Sequence, residues 1–216
     1  MAHRRILVVF AHPVLERSRV NRRLVEAARG VESVTLHDVY EAYPTLDIDV
    51  RREQALLESH DAIVFQHPFY WYSVPAILKE WQDLVLEYGW AYGEGGRALA
   101  GKITLNAIST GGPESAYRKD GSNRFTMREL LSPWDQTAHL CGMRFLAPFV
   151  THAALRVSAG KGGEALLAPQ RDRYVRLLEA LRDDRLDVEQ AALAERLDPI
   201  LDALIQPAAV VGGIAP

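Results

Sequence analysis

Three short segments of this sequence carry residue types that could hold an anionic, planar ligand, and the first runs from residue 11 to residue 21. It places His12 and Ser18 just before a predicted helix. The start of a helix leaves backbone N–H groups free and presents a positive dipole end, which together attract an anion such as a phosphate. Ser18 could cap the helix and bind a phosphate oxygen, and the ring N–H of His12 could reach the same anion.

The alternative for this segment is an ordinary strand-to-helix turn with a serine cap and a histidine bonded within the protein. The segment alone does not decide between the two. It lacks the glycines of a P-loop or of a dinucleotide fingerprint, which argues against ATP and against a standard NAD domain.

The second segment, residues 66–75, contains four successive aromatic residues: Phe69, Tyr70, Trp71 and Tyr72. Adjacent side chains cannot all face inward, so such a run is poor core material. Tyrosine and tryptophan combine flat apolar faces with polar groups, which suits the edge of a planar heterocycle. A dimer contact or a lid over the core is the alternative, and the position at the end of a predicted strand favours the ligand.

The third segment begins with the four residues Ser109, Thr110, Gly111 and Gly112. Paired glycines let the backbone approach a ligand closely and offer unobstructed N–H donors. A reduced flavin carries negative charge near N1 and the C2 carbonyl, and such donors would stabilise it. A plain turn is the alternative, and the three segments together are more specific than any one of them.

The rest of the sequence predicts an α/β fold in which these segments share one edge of a sheet. We expect strands at 6–10, 34–37, 62–65, 103–108 and 145–151, with Pro148 marking a bulge or an edge position. We expect helices at 21–28, 51–59, 74–86, 129–140 and 170–181. Strands separated by helices pair in parallel, and ligands then bind beyond the carboxyl ends of the strands. The three segments follow strands one, three and four.

The pattern changes after about residue 184, so we expect one domain over residues 1–184 and a C-terminal helical extension with an apolar tail over residues 185–216. Two short amphipathic helices are predicted at 188–197 and 199–204, with Asp198 able to cap the second. The tail at 208–216 is expected to be loosely ordered.

Composition narrows the classes of function. The chain has 216 residues and a formal net charge of −3, so there is no electrostatic argument for nucleic-acid binding. The single cysteine, Cys141, excludes an intrachain disulfide and an all-cysteine metal site, and we expect no metal. No segment has the length of a membrane helix or the pattern of a signal peptide, so a cytoplasmic location is expected.

At the level of motifs the chain resembles the NAD(P)H:quinone oxidoreductases of the flavodoxin-like superfamily. Within that family it is most similar to the flavoproteins ancillary to bacterial glutathione-regulated potassium efflux. The resemblance covers roughly residues 5 to 184 and rests on these stretches: AHP at 11–13, SRVN at 18–21, QHPFYWYSVPAILKEW at 66–81, YGWAYGEGGRALAGK at 88–102, STGGPESAY at 109–117, CGM at 141–143 and APF at 147–149.

The resemblance implies a flavodoxin-like three-layer sandwich with a five-stranded parallel sheet in the order 2-1-3-4-5. It also implies FMN rather than FAD as cofactor, and a homodimer. In the implied ping-pong reaction, NAD(P)H gives a hydride to the flavin and leaves, and a quinone or related electrophile then takes two electrons. The alternative function is a regulatory ancillary subunit of a potassium/proton antiporter, which would place the protein at the inner face of the cell membrane.

Site residues follow from the same resemblance by position. The FMN phosphate would be held by His12, Ser18, Arg19, Val20 and Asn21. The isoalloxazine ring would be lined by Phe69, Tyr70, Trp71, Tyr72, Ser109, Thr110, Gly111 and Gly112. Tyr117 corresponds to a family tyrosine whose hydroxyl faces the flavin and the substrate, and it is the candidate catalytic residue.

The chain departs from the family pattern shortly after Tyr117. Some relatives have a histidine about six residues further on, where this chain has Gly121, Ser122 and Asn123. If that histidine relays protons, Tyr117 must work alone or through water. The segment 118–126 is also basic, and it could meet the phosphates of NADPH, although a solvated mobile loop is the favoured interpretation.

Overall fold

The fold is described by a computed structural model that covers residues 3–159 and 163–207. The predicted loose tail at 208–216 lies outside the described residues. Within them, six parallel strands form one sheet: β1 Ile6–Phe10, β2 Val34–Asp38, β3 Ala62–Pro68, β4 Ile103–Ser109, β5 Arg144–Phe145 and β6 Phe149–Thr151. The order is β2-β1-β3-β4-β5, and β6 also pairs with β4. The predicted flavodoxin-like order 2-1-3-4-5 is therefore confirmed.

The prediction of one continuous fifth strand at 145–151 is wrong, because the strand is interrupted. Residues 146–148 separate β5 from β6. Both of these strands still pair in parallel with β4. Pro148 has no N–H to donate to a ladder, so it interrupts the strand as its position suggested.

Helices cover both faces of the sheet. Their bounds are α1 Arg19–Arg29, α2 Val39–Ala42, α3 Val50–Glu58, α4 Ala76–Val85, α5 Met127–Leu130, α6 Ser132–Leu140, α7 Ala154–Ala159, α8 Gly163–Arg182, α9 Val188–Leu193 and α10 Leu201–Leu204. Alternate residues of β1 belong to two separate cores: Ile6 and Val8 pack with α1 and α8, and Leu7 and Val9 pack with α3, α4 and α6. This arrangement is the predicted three-layer sandwich.

Several predicted helix boundaries differ from the structure for local reasons. The helix expected at 129–140 is two helices, because a capping box of Thr126 and Glu129 starts α5 and Pro133 lies at the start of α6. The helix expected at 170–181 begins at residue 163 and ends at Arg182, and Pro169 lies within it. The short helices α2 and α7 were not predicted.

The predicted cap by Asp198 is wrong. Helix α10 begins at Leu201, beyond the reach of that side chain, and it has no side-chain cap. Asp198 is instead buried, and its Oδ1 accepts a hydrogen bond of 3.1 Å from the backbone N–H of Val150 in β6. The two C-terminal helices are also shorter than expected. Helix α9 ends at Leu193 instead of residue 197, and α10 begins at Leu201 instead of residue 199.

A buried carboxylate organises the core beneath α3. Glu53 is 1% exposed and accepts hydrogen bonds from Tyr43 Oη at 2.5 Å and from Trp81 Nε1 at 2.7 Å. Nε2 of His37 lies 2.9 Å from Oε2, the oxygen that also accepts from Trp81. Burial alone would raise the pKa of Glu53, but these three partners more than offset that effect and lower the pKa. The carboxylate is therefore ionised, and both of its oxygens have partners in the core.

His67, near the end of β3, is completely buried and neutral. Asn106 Nδ2 lies 3.3 Å from its Nε2, and its Nδ1 lies 3.0 Å from the carbonyl oxygen of Pro68. Because an amide nitrogen donates, Nε2 accepts and Nδ1 carries the proton. Burial lowers the pKa of His67 to about 4, and the hydrogen bond to Pro68 opposes this only in part.

Replacement of His67 with glutamine is expected to flatten the acid dependence of stability. Between about pH 6.5 and pH 4 the unfolded chain binds a proton that the folded protein excludes, so the free energy of unfolding falls as the pH falls. Without His67 that slope should decrease by up to one proton, or about 1.4 kcal/mol per pH unit. Urea unfolding at several pH values measures it. His139→Gln, on the exposed face of α6, is the matched control, and an equal slope in both variants would contradict the prediction.

Candidate functional site

The three predicted segments meet at the carboxyl ends of β1, β3 and β4, where they enclose a cavity of about 330 Å³. This volume falls within the usual range for small-molecule sites, about 300–1,000 Å³. Of the residues predicted to bind the cofactor, the following line the cavity: His12, Ser18, Asn21, Phe69, Tyr70, Ser109, Thr110 and Gly111. Val14, Arg17 and Pro68 also line it, and so do Ala154 and Leu155 at the start of α7. None of these five was among the predicted site residues.

Ser18 caps α1 at the edge of the cavity. Its Oγ accepts hydrogen bonds from the backbone N–H of Asn21 at 3.2 Å and from the Nδ2 of the same residue at 3.1 Å. The side chain of Arg19 is exposed and that of Val20 is packed in the core, so neither lines the cavity. Only the backbone N–H groups of these two residues, in the first turn of α1, remain as donors for an anion.

Asn21 ties the first loop to the third. Its Nδ2 also donates to Ser109 Oγ at 2.9 Å, so both of its amide protons are used within the protein. Its Oδ1 is buried and has no partner among the described residues. An unpaired buried acceptor is costly unless a ligand donates to it, and a ligand hydroxyl would serve.

His12 presents one ring proton to the cavity. Its Nδ1 accepts a hydrogen bond of 3.1 Å from the backbone N–H of Val14, so the neutral ring carries its proton on Nε2. That Nε2 makes no hydrogen bond to any residue in the described part of the chain. Burial lowers the pKa of His12, and the charge of Glu16 opposes this shift. His12 is thus a donor in its neutral form.

The aromatic segment divides into two pairs. Phe69 is buried and donates its N–H to Ser109 O at 2.8 Å, and Tyr70 is exposed. Trp71 and Tyr72 have φ angles of 50° and 62°, and the N–H of Ser73 closes the turn on Tyr70 O at 2.9 Å. Two positive φ angles in succession are those of a type I′ turn, and they cost on the order of 1–3 kcal/mol at each non-glycine residue.

This turn directs the second pair away from the cavity. Trp71 is 92% exposed at the tip of the turn. The hydroxyl of Tyr72 donates to Asn123 Oδ1 at 3.2 Å, which ties the turn to segment 118–126. The structure therefore places Phe69 and Tyr70 in the cavity wall, and Trp71 and Tyr72 outside it.

The glycine loop offers two free donors. The N–H groups of Gly111 and Gly112 make no hydrogen bond to any described residue. A Cβ on Gly111 would lie 3.3 Å from the side chain of Leu155, so a larger residue would crowd the cavity wall. Thr110 is fully buried behind these glycines. The loop thus has the donors and the space that an electron-rich edge of a flat ligand requires.

Tyr117 lies beside this loop and does not line the cavity itself. A Cβ on Gly112 would come within 3.6 Å of its ring, and its ring centroid is 6.3 Å from that of Phe69. Burial raises the pKa of Tyr117, so its hydroxyl is protonated at neutral pH.

A histidine that the sequence analysis missed packs against this tyrosine. The ring of His152 lies 5.4 Å from that of Tyr117, and it follows β6 at the same edge of the sheet. The rule that selected the three segments, polar residues after a strand end, would have found it. Burial lowers the pKa of His152 to about 4, so the ring is neutral.

The basic segment after Tyr117 is largely paired with neighbouring acids. Lys119 Nζ lies 3.6 Å from Glu129 Oε1, and Arg118 Nη2 lies 3.9 Å from Glu114 Oε1, all on exposed side chains. Contact with the phosphates of NADPH stays the alternative to the favoured solvated loop. Among the described helices, none is both long and apolar enough to cross a bilayer.

Comparison with known proteins gives one family and several close relatives. A family model described as a flavodoxin-like fold matches residues 4–178. The ancillary protein KefG of the glutathione-regulated potassium-efflux system of Shigella flexneri is 50% identical over 155 residues, which cover 72% of this chain and 85% of KefG.

Two solved structures are similar over most of their length. General stress protein 14 of Treponema denticola, in complex with FMN, has a TM-score of 0.76 and 36% identity, and the match covers 82% of this chain and 99% of that protein. An NADPH-quinone reductase from P. pentosaceus has a TM-score of 0.68 and 32% identity, with coverages of 78% and 96%.

Proposed function

Because the chain belongs to the family of proteins with a flavodoxin-like fold, we propose that it is an FMN-dependent oxidoreductase that takes electrons from NAD(P)H and passes them to a quinone or a related electrophile. The family predicted from the sequence motifs is confirmed, with quinone reductases and KefG among the relatives. The observation that carries the proposal is the cavity itself, which is lined by the capped start of α1, by Phe69 and Tyr70, and by Gly111, whose N–H makes no hydrogen bond to any described residue.

The residues present fit FMN part by part. The phosphate would bind at the start of α1, where Ser18 and the ring N–H of His12 supply donors. A ribityl hydroxyl would satisfy the unpaired Oδ1 of Asn21. The isoalloxazine ring would lie against Tyr70, with its pyrimidine edge at Gly111. The FMN-bound structure of the Treponema denticola protein supports FMN over FAD.

FMN supplies the two-electron chemistry when it is bound. The chain's own residues would orient the ring, exclude water from one side of it, and hold a proton nearby. Tyr117 is the proposed proton-bearing group, because its raised pKa keeps the hydroxyl protonated. His152 is neutral and lies against the ring of Tyr117.

A homodimer is part of the proposal. Trp71 is 92% exposed and Leu155 is 70% exposed, and both lie at the carboxyl edge of the sheet, next to the cavity. Large apolar side chains at such a rim are suited to a subunit contact. Sedimentation equilibrium should give twice the mass of one chain, and a monomer at micromolar concentration would contradict this part.

Anaerobic reduction tests the proposed activity. The FMN-loaded protein is expected to lose its flavin absorbance near the visible maximum when NADH or NADPH is added, and to regain it when a quinone is added. The two half-reactions should proceed separately, since the two substrates use one site in turn. A protein that binds FMN and is reduced by neither nicotinamide would contradict the proposal.

The second candidate function is that of a regulatory ancillary subunit of a potassium/proton antiporter. The 50% identity to KefG of Shigella flexneri favours it. It predicts an antiporter gene beside this one and co-purification of the two products. An isolated gene and no co-purification would count against it, and neither result bears on FMN binding.

A further inference from the structure

The segment after α8 folds back onto the interrupted edge of the sheet. The N–H of Ala147, between β5 and β6, donates to Ala191 O at 3.0 Å, and the N–H of Leu197 donates to Pro148 O at 2.9 Å. Ala191 and Leu197 are fully buried in the core on the α1 and α8 side. The family match ends at residue 178, so this segment lies beyond it.

One side chain of this segment, Arg196, reaches the glycine loop of the site. It is 11% exposed, and its Nη1 lies 2.7 Å from Nε2 of His152. Its Nη2 lies 3.2 Å from Glu114 Oε1, in the turn just before Tyr117, and its Nε lies 3.5 Å from Asp198 Oδ1. A largely buried guanidinium with three partners is held in one orientation.

Arg196 determines which nitrogen of His152 carries the proton. A guanidinium only donates, so Nε2 of His152 must accept and the ring proton must be on Nδ1. That Nδ1 lies 3.0 Å from Thr110 Oγ1 and donates to it. The hydroxyl of Thr110 in turn donates to Gly112 O at 2.9 Å. Arg196 therefore determines which atom donates and which accepts in each of these hydrogen bonds.

The end of this chain is the glycine loop, in which Gly111 lines the candidate flavin cavity. The carbonyl of Gly112 also accepts from the N–H of Ala153 at 2.9 Å, and the carbonyl of Thr110 accepts from the N–H of Ala154 at 2.8 Å. These carbonyls are bonded within the protein, whereas the N–H groups of Gly111 and Gly112 make no hydrogen bond to any described residue. The carbonyls of the loop are thus anchored to the protein, and its N–H groups are available to a ligand.

We propose that Arg196 is a positioning residue, which acts through His152 and Thr110 to hold Gly111 and Gly112 in the conformation that binds the flavin. This inference rests on the proposed function, since it names what the C-terminal segment does for the same site. Arg196 lines no part of the flavin cavity, so its effect is transmitted through the loop.

The test compares Arg196→Met with Arg176→Met. Arg176 makes an exposed ion pair of 2.6 Å with Asp202 in α10, so its replacement perturbs the same segment without touching the loop. The dissociation constant of FMN is expected to rise about threefold to tenfold in Arg196→Met and to stay at the parent value in Arg176→Met. Long-range ¹⁵N–¹H NMR of the apoprotein should show the Nδ1–H tautomer of His152 in the parent and a mixture of tautomers in Arg196→Met.

A double-variant cycle separates positioning from a merely structural role. Thr110→Val removes the hydroxyl and leaves the C-terminal segment intact, so it should weaken FMN binding similarly. Adding Arg196→Met to it should cause little further loss if the two act through one chain, whereas independent effects would add. Additive losses would overturn the inference. If Arg196→Met does not fold, Thr110→Val decides, and parent-like FMN affinity in that variant overturns it.

The two proposals fail in different ways. If the parent protein binds no FMN, the proposed function fails and the positioning role fails with it. If the parent binds FMN and Arg196→Met binds it equally well, only the positioning role is overturned.

Discussion

Ser18→Asp is expected to weaken FMN binding by about 100-fold or more while the folded protein stays as stable as the parent. Aspartate is as good a helix N-cap as serine, and its charge interacts favourably with the helix dipole. The same carboxylate would stand where the FMN phosphate binds at the start of α1. Two like charges about 4 Å apart near a protein surface repel by about 4 kcal/mol, which is more than enough for this loss. Fluorescence titration of the apoprotein with FMN measures it.

Riboflavin, which lacks the phosphate, is the control ligand for this variant. Its affinity should change little in Ser18→Asp, because the repulsion needs the phosphate. Ser18→Thr is the control variant, since threonine keeps the cap and adds no charge. Equal losses for FMN and riboflavin in Ser18→Asp would show that the phosphate binds elsewhere.

Glu53→Leu is expected to lower the free energy of unfolding by about 3–5 kcal/mol, because each of its buried partners loses an acceptor at a cost of about 1–3 kcal/mol. The change leaves the hydroxyl of Tyr43 and the Nε1 of Trp81 without an acceptor in the core, and it leaves His37 without its carboxylate. Each unsatisfied buried group adds to the cost. Urea unfolding followed by circular dichroism measures the change.

The matched control lies on the same helix. Glu58 is exposed at the end of α3 and accepts a hydrogen bond of 2.7 Å from Trp90 Nε1. It offers the same pair of groups at the surface, where Glu58→Leu should cost less than about 1 kcal/mol. Similar losses for the two variants would contradict the importance of burial at Glu53.

The sequence predicted those parts of the site that follow from the topology of a parallel sheet. Residues after the ends of parallel strands share one edge, so His12, Phe69 and Gly111 could be brought together without knowing any side-chain contact. The order of the sheet followed from the family resemblance. Sequence patterns also marked Pro148 as a bulge or an edge position, but they did not predict that the fifth strand is divided there.

What the sequence could not predict depends on backbone detail and on distant packing. The positive φ angles of Trp71 and Tyr72 separate them from Phe69 and Tyr70, and nothing in four consecutive aromatic residues indicates such a turn. Arg196 reaches His152 only because the C-terminal segment packs against the interrupted strand edge. Their 44-residue separation carries no periodic signal. The early start of α8 at Gly163, before Pro169, is likewise outside what helical periodicity predicted.

The central claim is that the cavity at the carboxyl edge of the sheet holds FMN. The most direct measurement is an equilibrium titration of the apoprotein with FMN, with flavin fluorescence as the signal. We predict saturable binding of one FMN per chain, with quenching as the ring stacks against the aromatic wall at Tyr70. A folded protein that shows no saturable binding of FMN would contradict the account.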